Sequence, residues 1–258
     1  MIALNCLKSM TPHSSNDNIN VVIMAGGKGS RLKSLTENRP KALVEVQGKP
    51  VIVHLLEHLI ASGFKSAHIS VGYLADQIIN ELKCGSQFGA QLDYIREDRP
   101  SGSIGALVLR QDWEKGTFLI INGDVFSNFK IDRLLSAFVK QDADLLILTT
   151  SETVKLPWGV IVADQNGKVV RLEEKPDLRF LISSGVYLFN KKVYDLISRD
   201  SPMEGWELVQ TALAKGLNVV SIPLQEGEYW VDVGTFESLE KARNLTLSSD
   251  KAQILEES

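Results

Sequence analysis

Cysteine is scarce in this chain: only Cys6 and Cys84 occur among 258 residues. Two thiols, one of them in the polar opening stretch MIALNCLKSMTPHSSNDN, supply neither a disulfide framework nor a cysteine metal site, which fits a reducing cytosol. Long apolar runs are missing as well. None approaches the roughly 20 residues that a membrane-spanning helix needs, and the opening stretch lacks a signal peptide's apolar segment. The expectation is a cytoplasmic protein with no membrane partner, a disordered leader over residues 1–18 and, as an alternative, a start at Met10. Nor is there an excess of positive charge. With 28 Lys and Arg against 32 Asp and Glu the formal net charge is −4, which argues against a general nucleic-acid binder. No repeat period is visible, so a solenoid is set aside. Apolar content of 44% and charged content of 23% describe an ordinary globular chain, long enough for one large α/β domain.

What is present concentrates between Val21 and Pro50. Ile19 to Met24 is apolar and β-branched apart from Asn20, and it stops at Ala25-Gly26-Gly27. This predicts a buried strand that feeds a sharp turn. Glycines at Gly26, Gly27 and Gly29 let backbone N–H groups approach and surround an anion, and Lys28, Arg31, Arg39 and Lys41 add full positive charge. A polyphosphate is the natural guest. Two commoner glycine motifs fail: Ser30 and Arg31 stand where a P-loop requires Gly and Lys, and Leu32 stands where the dinucleotide fingerprint requires a third Gly.

Along the chain, strand and helix patterns alternate. Strands are predicted at Ala42 to Val46, Ala67 to Val71, Leu92 to Ile95, Thr117 to Ile121 and Ala143 to Thr150. Helices are predicted from Pro50 to the stop at Gly63, at Leu74 to Leu82 and at Ile131 to Lys140. The class is therefore α/β, a doubly wound and mostly parallel sheet. His54, Glu57 and His58 match the zinc-protease pattern H-x-x-E-H, but surface or dimer-contact histidines are the plainer reading. Arg99 to Ala106 is a second glycine loop opening a short helix, with Ser103 suited to cap it. Asn122-Gly123-Asp124 ends a buried strand, so Asp124 can hold Mg²⁺ against a polyphosphate or simply form a turn. Val160 to Ala163 and Val169 to Glu173 form a hairpin around Asn166-Gly167, which marks a change to antiparallel structure. Helices at Lys192 to Ser198 and Glu207 to Lys215, a strand at Val219 to Pro223 and a closing helix from Phe236 to Leu245 complete the pattern.

Gly26-Gly27-x-Gly29-Ser30-Arg31-Leu32, followed by Pro40-Lys41-x-Leu43 and Lys49-Pro50, resembles the signature of the sugar-1-phosphate nucleotidylyltransferases. Four further segments agree in order: Gly102 to Gly105, Asn122 to Asp124, Glu173-Glu174-Lys175-Pro176 with Ser183 to Tyr187, and Trp230-Val231-Asp232-Val233-Gly234. The resemblance covers residues 19–246 and implies a nucleotide-binding half at 19–150, an antiparallel sugar-binding half at 151–234, a closing helix at 235–246 and a tail at 247–258. It implies nucleotide contacts from Ala25, Gly26, Gly27, Gly29, Ser30, Arg31, Gly102, Ser103 and Gly105. Sugar-phosphate contacts fall to Gly159, Glu174, Lys175 and Ser183, where Ser183 replaces the usual Asn. It makes Arg31, Lys41 and Asp124 catalytic, with Asp124 and Asp232 holding Mg²⁺. The implied partners are a nucleoside triphosphate and a sugar 1-phosphate, and the implied reaction gives a nucleoside-diphosphate sugar and pyrophosphate. Bacterial guanylyltransferases acting on mannose, heptose or glucosamine 1-phosphates look nearest, which favours GTP; uridylyl, thymidylyl and cytidylyl transfer stay open. So does a silent nucleotide-sugar sensor on the same fold. Many relatives form dimers or tetramers, so a homo-oligomer is in view, with the helix around His54 to Leu59 as one candidate interface.

Overall fold

The computed structural model describes residues 18–29, 36–113 and 116–245. A seven-stranded sheet forms its centre. It is built from β1 (Ile19–Met24), β4 (Ser66–Val71), β5 (Gln91–Arg96), β6 (Thr117–Asn122), β8 (Leu145–Lys155), β11 (Asp177–Asn190) and β12 (Val219–Pro223), in the spatial order β12-β8-β11-β6-β1-β4-β5. Pairings β1 with β4, β1 with β6, β4 with β5 and β12 with β8 are parallel, while β11 runs antiparallel to both β6 and β8. The mostly parallel, doubly wound expectation holds, and one reversed strand sits near its middle.

Helices cover both faces, which is why β1 reads as an apolar run interrupted only by the buried Asn20. Val21 and Ile23 pack on one face with Ile52, Leu56 and Leu59 of α1 (Val51–Ala61) and with Leu134 of α4 (Ile131–Lys140). Val22 points to the other face, among Ile104, Phe118, Tyr194 and Leu208. There Phe118 stacks on Tyr194 at 4.8 Å and on Phe189 at 5.5 Å. These layers rest on α2 (Ala75–Leu82), α3 (Gly102–Gly105), α5 (Lys191–Tyr194) and α6 (Gly205–Ala214). A third cluster, including Val44, Val46, Phe126, Val231, Val233 and Leu239, joins two small strand pairs to the helix over residues 236–245. These pairs are β2 (Glu45–Val46) with β3 (Lys49–Pro50), and β7 (Val125–Ser127) with β13 (Trp230–Asp232).

Several boundaries differ from the sequence reading. The expected strand at Ala42 to Val46 is a 3₁₀ turn at Lys41–Leu43 followed by the two residues of β2, because Pro40 enters at ψ 143° and Val44 N–H returns to the Lys41 carbonyl. The expected strand at Ala143 to Thr150 extends to Lys155 and pairs on one side with the reversed β11, so it does not simply complete a parallel pattern. The helix expected at Lys192 to Ser198 is shorter, as Asn190 caps a single turn by accepting from the Lys192 and Val193 N–H groups. The hairpin of β9 (Val160–Ala163) and β10 (Val169–Glu173) is present, although Gly167 alone takes a left-handed φ of 82°. Its turn is therefore a longer loop tied by Asp164, which accepts from the Asn166 and Lys168 N–H groups, with a register shift beyond it. Among the described residues no helix is long and apolar enough to cross a membrane.

His54 and His58 are internal struts. Each donates from Nε2 to a main-chain carbonyl, His54 to Val46 at 2.9 Å and His58 to Phe129 at 2.8 Å. Burial lowers the His58 pKa against the pull of that carbonyl, so the ring is neutral and its Nε2 is committed. Among the described residues the two histidines form no metal cluster, and both rings are half-buried while the apolar side of α1, with Leu55, Leu56 and Leu59 buried, faces the core.

Asp144 fastens the far side of the sheet. It accepts from Asn190 Nδ2 at 2.8 Å, Asn218 N–H at 3.0 Å and Lys192 Nζ at 2.9 Å, and these donors hold its carboxyl down at about 2. A depressed carboxylate stabilises the fold above its unfolded value of 3.8, and that contribution fades as pH falls toward 2. Asp144→Asn should therefore cost about 1 kcal/mol at pH 7, solvent screening of the exposed Lys192 partner taking off the rest. Urea melts of the two proteins should converge as the buffer is taken below pH 4.

Candidate active site

The sheet order reverses at β1: the chain leaves it for β4 and β5 on one side and returns to β6 on the other. Ligands of open α/β sheets collect outside the carboxyl ends of the strands at such a point. Here Gly123 N–H donates to the Met24 carbonyl at 2.8 Å and Ala25 N–H to the Ser70 carbonyl at 2.9 Å, which pins the two turns together. A cavity of about 380 Å³ opens between them, walled by Ala25, Gly26, Gly27 and Gly29 on one side and Gly102 and Ser103 on the other, with Lys41 and Asp124 also at its wall.

Lys41 is the hub of its charged end. The 3₁₀ turn presents its ammonium to Asp124, with which it forms a close ion pair, and to Asp232 Oδ1 at 2.7 Å. Asp124 follows β6 and Asp232 ends β13; the two are brought together by pairing of Asp232 with Val125 and by the Val233 N–H bond to the Asp124 carbonyl at 2.9 Å. Burial raises the Asp124 pKa, Lys41 opposes this and Asp232 adds to it. Burial works against the Lys41 ammonium, but the two carboxylates outweigh it and hold the pKa above the ordinary lysine value. The pair of carboxylates thus already faces a cation, and its donors are all hard oxygens of the kind that suit Mg²⁺.

The second glycine loop is fixed by a remote segment. Gly102 has φ 82°, and a Cβ there would meet the Met203 carbonyl oxygen at 2.4 Å. Ser103 does not cap its own helix. Its Oγ accepts from Gly205 N–H at 2.9 Å and its N–H donates to Glu204 Oε2 at 3.0 Å, so the loop is tied to the start of α6. Gly105 is buried behind the cavity, with a Cβ position 3.3 Å from Met203 N.

Two carboxylates that the sequence reading did not single out, Glu97 and Glu204, also line the cavity. Glu97 follows β5, takes the hydroxyls of Ser70 and Ser101 on its two oxygens and accepts from Ser101 N–H at 3.2 Å. The available signal was its position at the carboxyl end of a parallel strand. Glu204 forms a capping box with Glu207 at the head of α6.

Ser30 and Arg31 lie outside the described residues. Gly159 and Glu174 are brought together, a Cβ on Gly159 falling 3.0 Å from Glu174 Oε2, and Lys175 N–H donates to the Trp158 carbonyl at 3.2 Å. Ser183 donates to the Tyr187 hydroxyl at 3.1 Å. None of Gly159, Glu174, Lys175 and Ser183 lines the cavity; all four stand on the arm formed by β8 to β11.

A doubly wound sheet, paired glycine loops and a Lys41–carboxylate cluster at the strand ends make this an α/β protein with a built cavity at its topological switch point. The chain belongs to the nucleotidyl transferase family, whose profile matches residues 20–249. It is 33% identical over 237 residues to a mannose-1-phosphate guanyltransferase of Yarrowia lipolytica, covering 88% of this chain and 64% of that protein. It is 29% identical over 239 residues to a glucose-1-phosphate thymidylyltransferase of Streptomyces griseus, covering 88% and 66%. The chain thus spans a little under two thirds of the length of these relatives. Among solved structures, HddC from Yersinia pseudotuberculosis complexed with GMP-PN superposes with a TM-score of 0.67 at 27% identity, over 88% of this chain and 99% of that one.

Proposed function

We propose that the chain transfers a nucleoside monophosphate from a nucleoside triphosphate to a sugar 1-phosphate, with release of pyrophosphate. The observation that carries this reading is Lys41 held between Asp124 and Asp232 at one end of a cavity walled by two glycine loops. Family membership supports the reaction class. In the reaction an oxygen of the sugar phosphate attacks the α-phosphorus, a new P–O bond forms, and the bond to the β-phosphate breaks with its electrons leaving on pyrophosphate. The chain's work is positioning and charge compensation. The Gly26–Gly29 turn offers backbone donors to the phosphates, Lys41 and Arg31 supply positive charge, and Glu174, Lys175, Gly159 and Ser183 form the sugar side. Asp124 and Asp232 would hold Mg²⁺, which when bound supplies electrostatic neutralisation of the polyphosphate.

GTP is the triphosphate we favour. Glu97, a carboxylate in a cavity meant for an anion, belongs at the base end, and guanine presents adjacent N1–H and N2–H donors that a carboxylate can accept as a pair. Relatives named for guanylyl transfer agree with this choice. We place the activity in the cytoplasm, in the nucleotide half at 19–150 and the sugar half at 151–234. The test is pyrophosphate release with Mg²⁺, screening GTP, UTP, dTTP, CTP and ATP against mannose, glucose, glucosamine and heptose 1-phosphates. Activity with GTP and one sugar phosphate is the expected result. Activity with another base would retain the reaction and remove the role of Glu97, and silence from folded protein that still binds a nucleotide sugar would overturn the reaction itself.

A further inference from the structure

Asp232 reaches the Lys41 cluster on a strand of three residues. β7 and β13 pair Trp230 with Ser127, Val231 with Phe126 and Asp232 with Val125, and neither strand joins the seven-stranded sheet. Such a pair is marginal in water unless something else supports it. At the site end Val233 N–H closes it on the Asp124 carbonyl, while Val231 and Val233 are buried with Phe126 and Leu239. The opposite end is fastened by side chains that lie outside the cavity. Asn128 accepts from Tyr229 N–H at 2.6 Å, donates from Nδ2 to the Gly227 carbonyl at 3.0 Å and donates its own N–H to the Tyr229 carbonyl at 3.2 Å. Glu228, whose side chain is 5% exposed, meets donors on both oxygens. Oε1 accepts from Lys130 N–H at 3.0 Å and Arg133 Nε at 3.3 Å, and Oε2 accepts from Arg133 Nη2 at 2.6 Å and Gln225 N–H at 2.8 Å. Arg133 stands on α4 beside Leu134, which is buried in the core, so the turn before β13 is tied to the body of the fold.

We propose that Glu228, gripped by Arg133, sets the position of Asp232 against Asp124 and thereby the chain's hold on a divalent cation. Glu228 is a positioning residue, since four steps of extended chain, about 13 Å, separate it from Asp232. Position matters at this end of the pair for two reasons. Asp232 repels Asp124 and helps to raise its pKa, so a slack β13 would let the second carboxylate move away from the first. Mg²⁺ demands near-octahedral oxygen geometry, so such a movement weakens the cation's binding before it touches the phosphoryl chemistry. Closing the turn does not by itself call for Glu228, because the bonds of Asn128 already join the end of β7 to the turn before β13. What Glu228 adds is the link to a helix packed on the central sheet. This role rests on the holding of a divalent cation by Asp124 and Asp232, as proposed above.

The test is a titration of the full chain with Mn²⁺ alone, free Mn²⁺ being read from its paramagnetic resonance signal, so that no turnover is needed. Glu228→Gln keeps the side chain's size and should bind Mn²⁺ about 10-fold more weakly than wild type, the lower end of the loss seen when a group that orients a metal's ligands is removed. The Mg²⁺ concentration for half-maximal pyrophosphate release should rise by the same factor, while kcat at saturating Mg²⁺ stays near wild type. Arg133→Met leaves Glu228 its two main-chain donors and should shift Mn²⁺ binding in the same direction by less. Asp144→Asn, which weakens the fold on the far side of the sheet, should leave Mn²⁺ binding unchanged. Were it to weaken Mn²⁺ binding as much as Glu228→Gln does, Glu228 would serve stability alone and the proposal would fall. Mn²⁺ that ignores the wild type, or binds Asp124→Asn equally well, removes the cation reading and this role with it. Binding that is lost in Asp124→Asn but unchanged in folded Glu228→Gln overturns the role of Glu228 only, and if Glu228→Gln does not fold, unchanged binding in Arg133→Met overturns it.

Discussion

Asp124→Asn should lower turnover by about 10²–10³ with the fold intact, the usual loss when one preorganised charge is removed from a transition state. Lys41→Met should lose comparable activity and also stability, and the asymmetry between the two is the informative part. In the folded chain the Lys41 ammonium bridges Asp124 and Asp232, and their side chains are 11%, 23% and 36% exposed respectively. Taking away Asp124's charge leaves Lys41 paired with Asp232 and relieves a carboxyl whose ionised form burial already disfavours. Taking away Lys41 leaves two carboxylates facing each other without a cation. The cost should be about 2–3 kcal/mol, somewhat below the ~3–5 kcal/mol of breaking a fully buried pair. A divalent cation binding the folded form then stabilises by mass action, about 2.7 kcal/mol at 100 times its dissociation constant. Thermal melts in EDTA and in Mg²⁺ should accordingly differ more for Lys41→Met than for wild type. Equal melts would show that Asp124 and Asp232 do not form a cation site.

The sequence announced the parallel part of this fold because strands buried on both faces read as continuous apolar runs. Ile19 to Met24 and Thr117 to Ile121 each ended within a residue of their expected limits, and the turn residues after them, Gly26 and Asp124, followed from that placement. The exposed arm was harder to read. Ser151 to Lys155 is polar and alternates weakly, so nothing local extends β8 past Thr150; its pairing with Asp177 to Ser183 does. Lys41 was legible as a charge and not as a hub, because contact with Asp232 spans 191 residues. Ser103 shows the same limit. Its small-residue loop was recognisable, but its hydroxyl serves Gly205, more than a hundred residues away, and no local cap rule contains that information. Glu97 was passed over for a different reason. A carboxylate looks out of place in a site for polyphosphate, and only the fold brings it beside the Gly26 turn at the cavity wall.

Gly26→Ala is expected to raise KM for the triphosphate about 10- to 100-fold, equivalent to roughly 1.4–2.7 kcal/mol of binding, with a smaller effect on kcat. Gly26 is not at a positive φ, so the demand is for space. An Ala Cβ would stand 2.1 Å from Glu97 Oε1 and 2.9 Å from its Cδ, with Gly72 N a further contact at 3.4 Å. The backbone cannot yield, because Gly72 is itself packed on Gly26, a Cβ there falling 2.9 Å from the Gly26 oxygen. The Glu97 carboxylate is the part that moves. Leaving its place, it abandons the hydroxyl of the fully buried Ser70 and both donors of Ser101, a loss of about 1–3 kcal/mol for the Ser70 hydroxyl if it stays unpaired. Ser101 precedes Gly102, so the second glycine loop loses an anchor at the same moment. The companion Gly27→Ala separates the two roles of the turn: its Cβ meets no protein atom within 4 Å, so its melting temperature should match wild type and any rise in KM reports the ligand's own approach. The double variant Gly26→Ala/Glu97→Ala removes the collision but also the acceptor of Ser70 and Ser101, so it should recover neither that stability nor the preference for GTP over ATP. Were Gly26→Ala to bind and discriminate bases as the wild type does, Glu97 would be an anchor for Ser70 and Ser101 and nothing more.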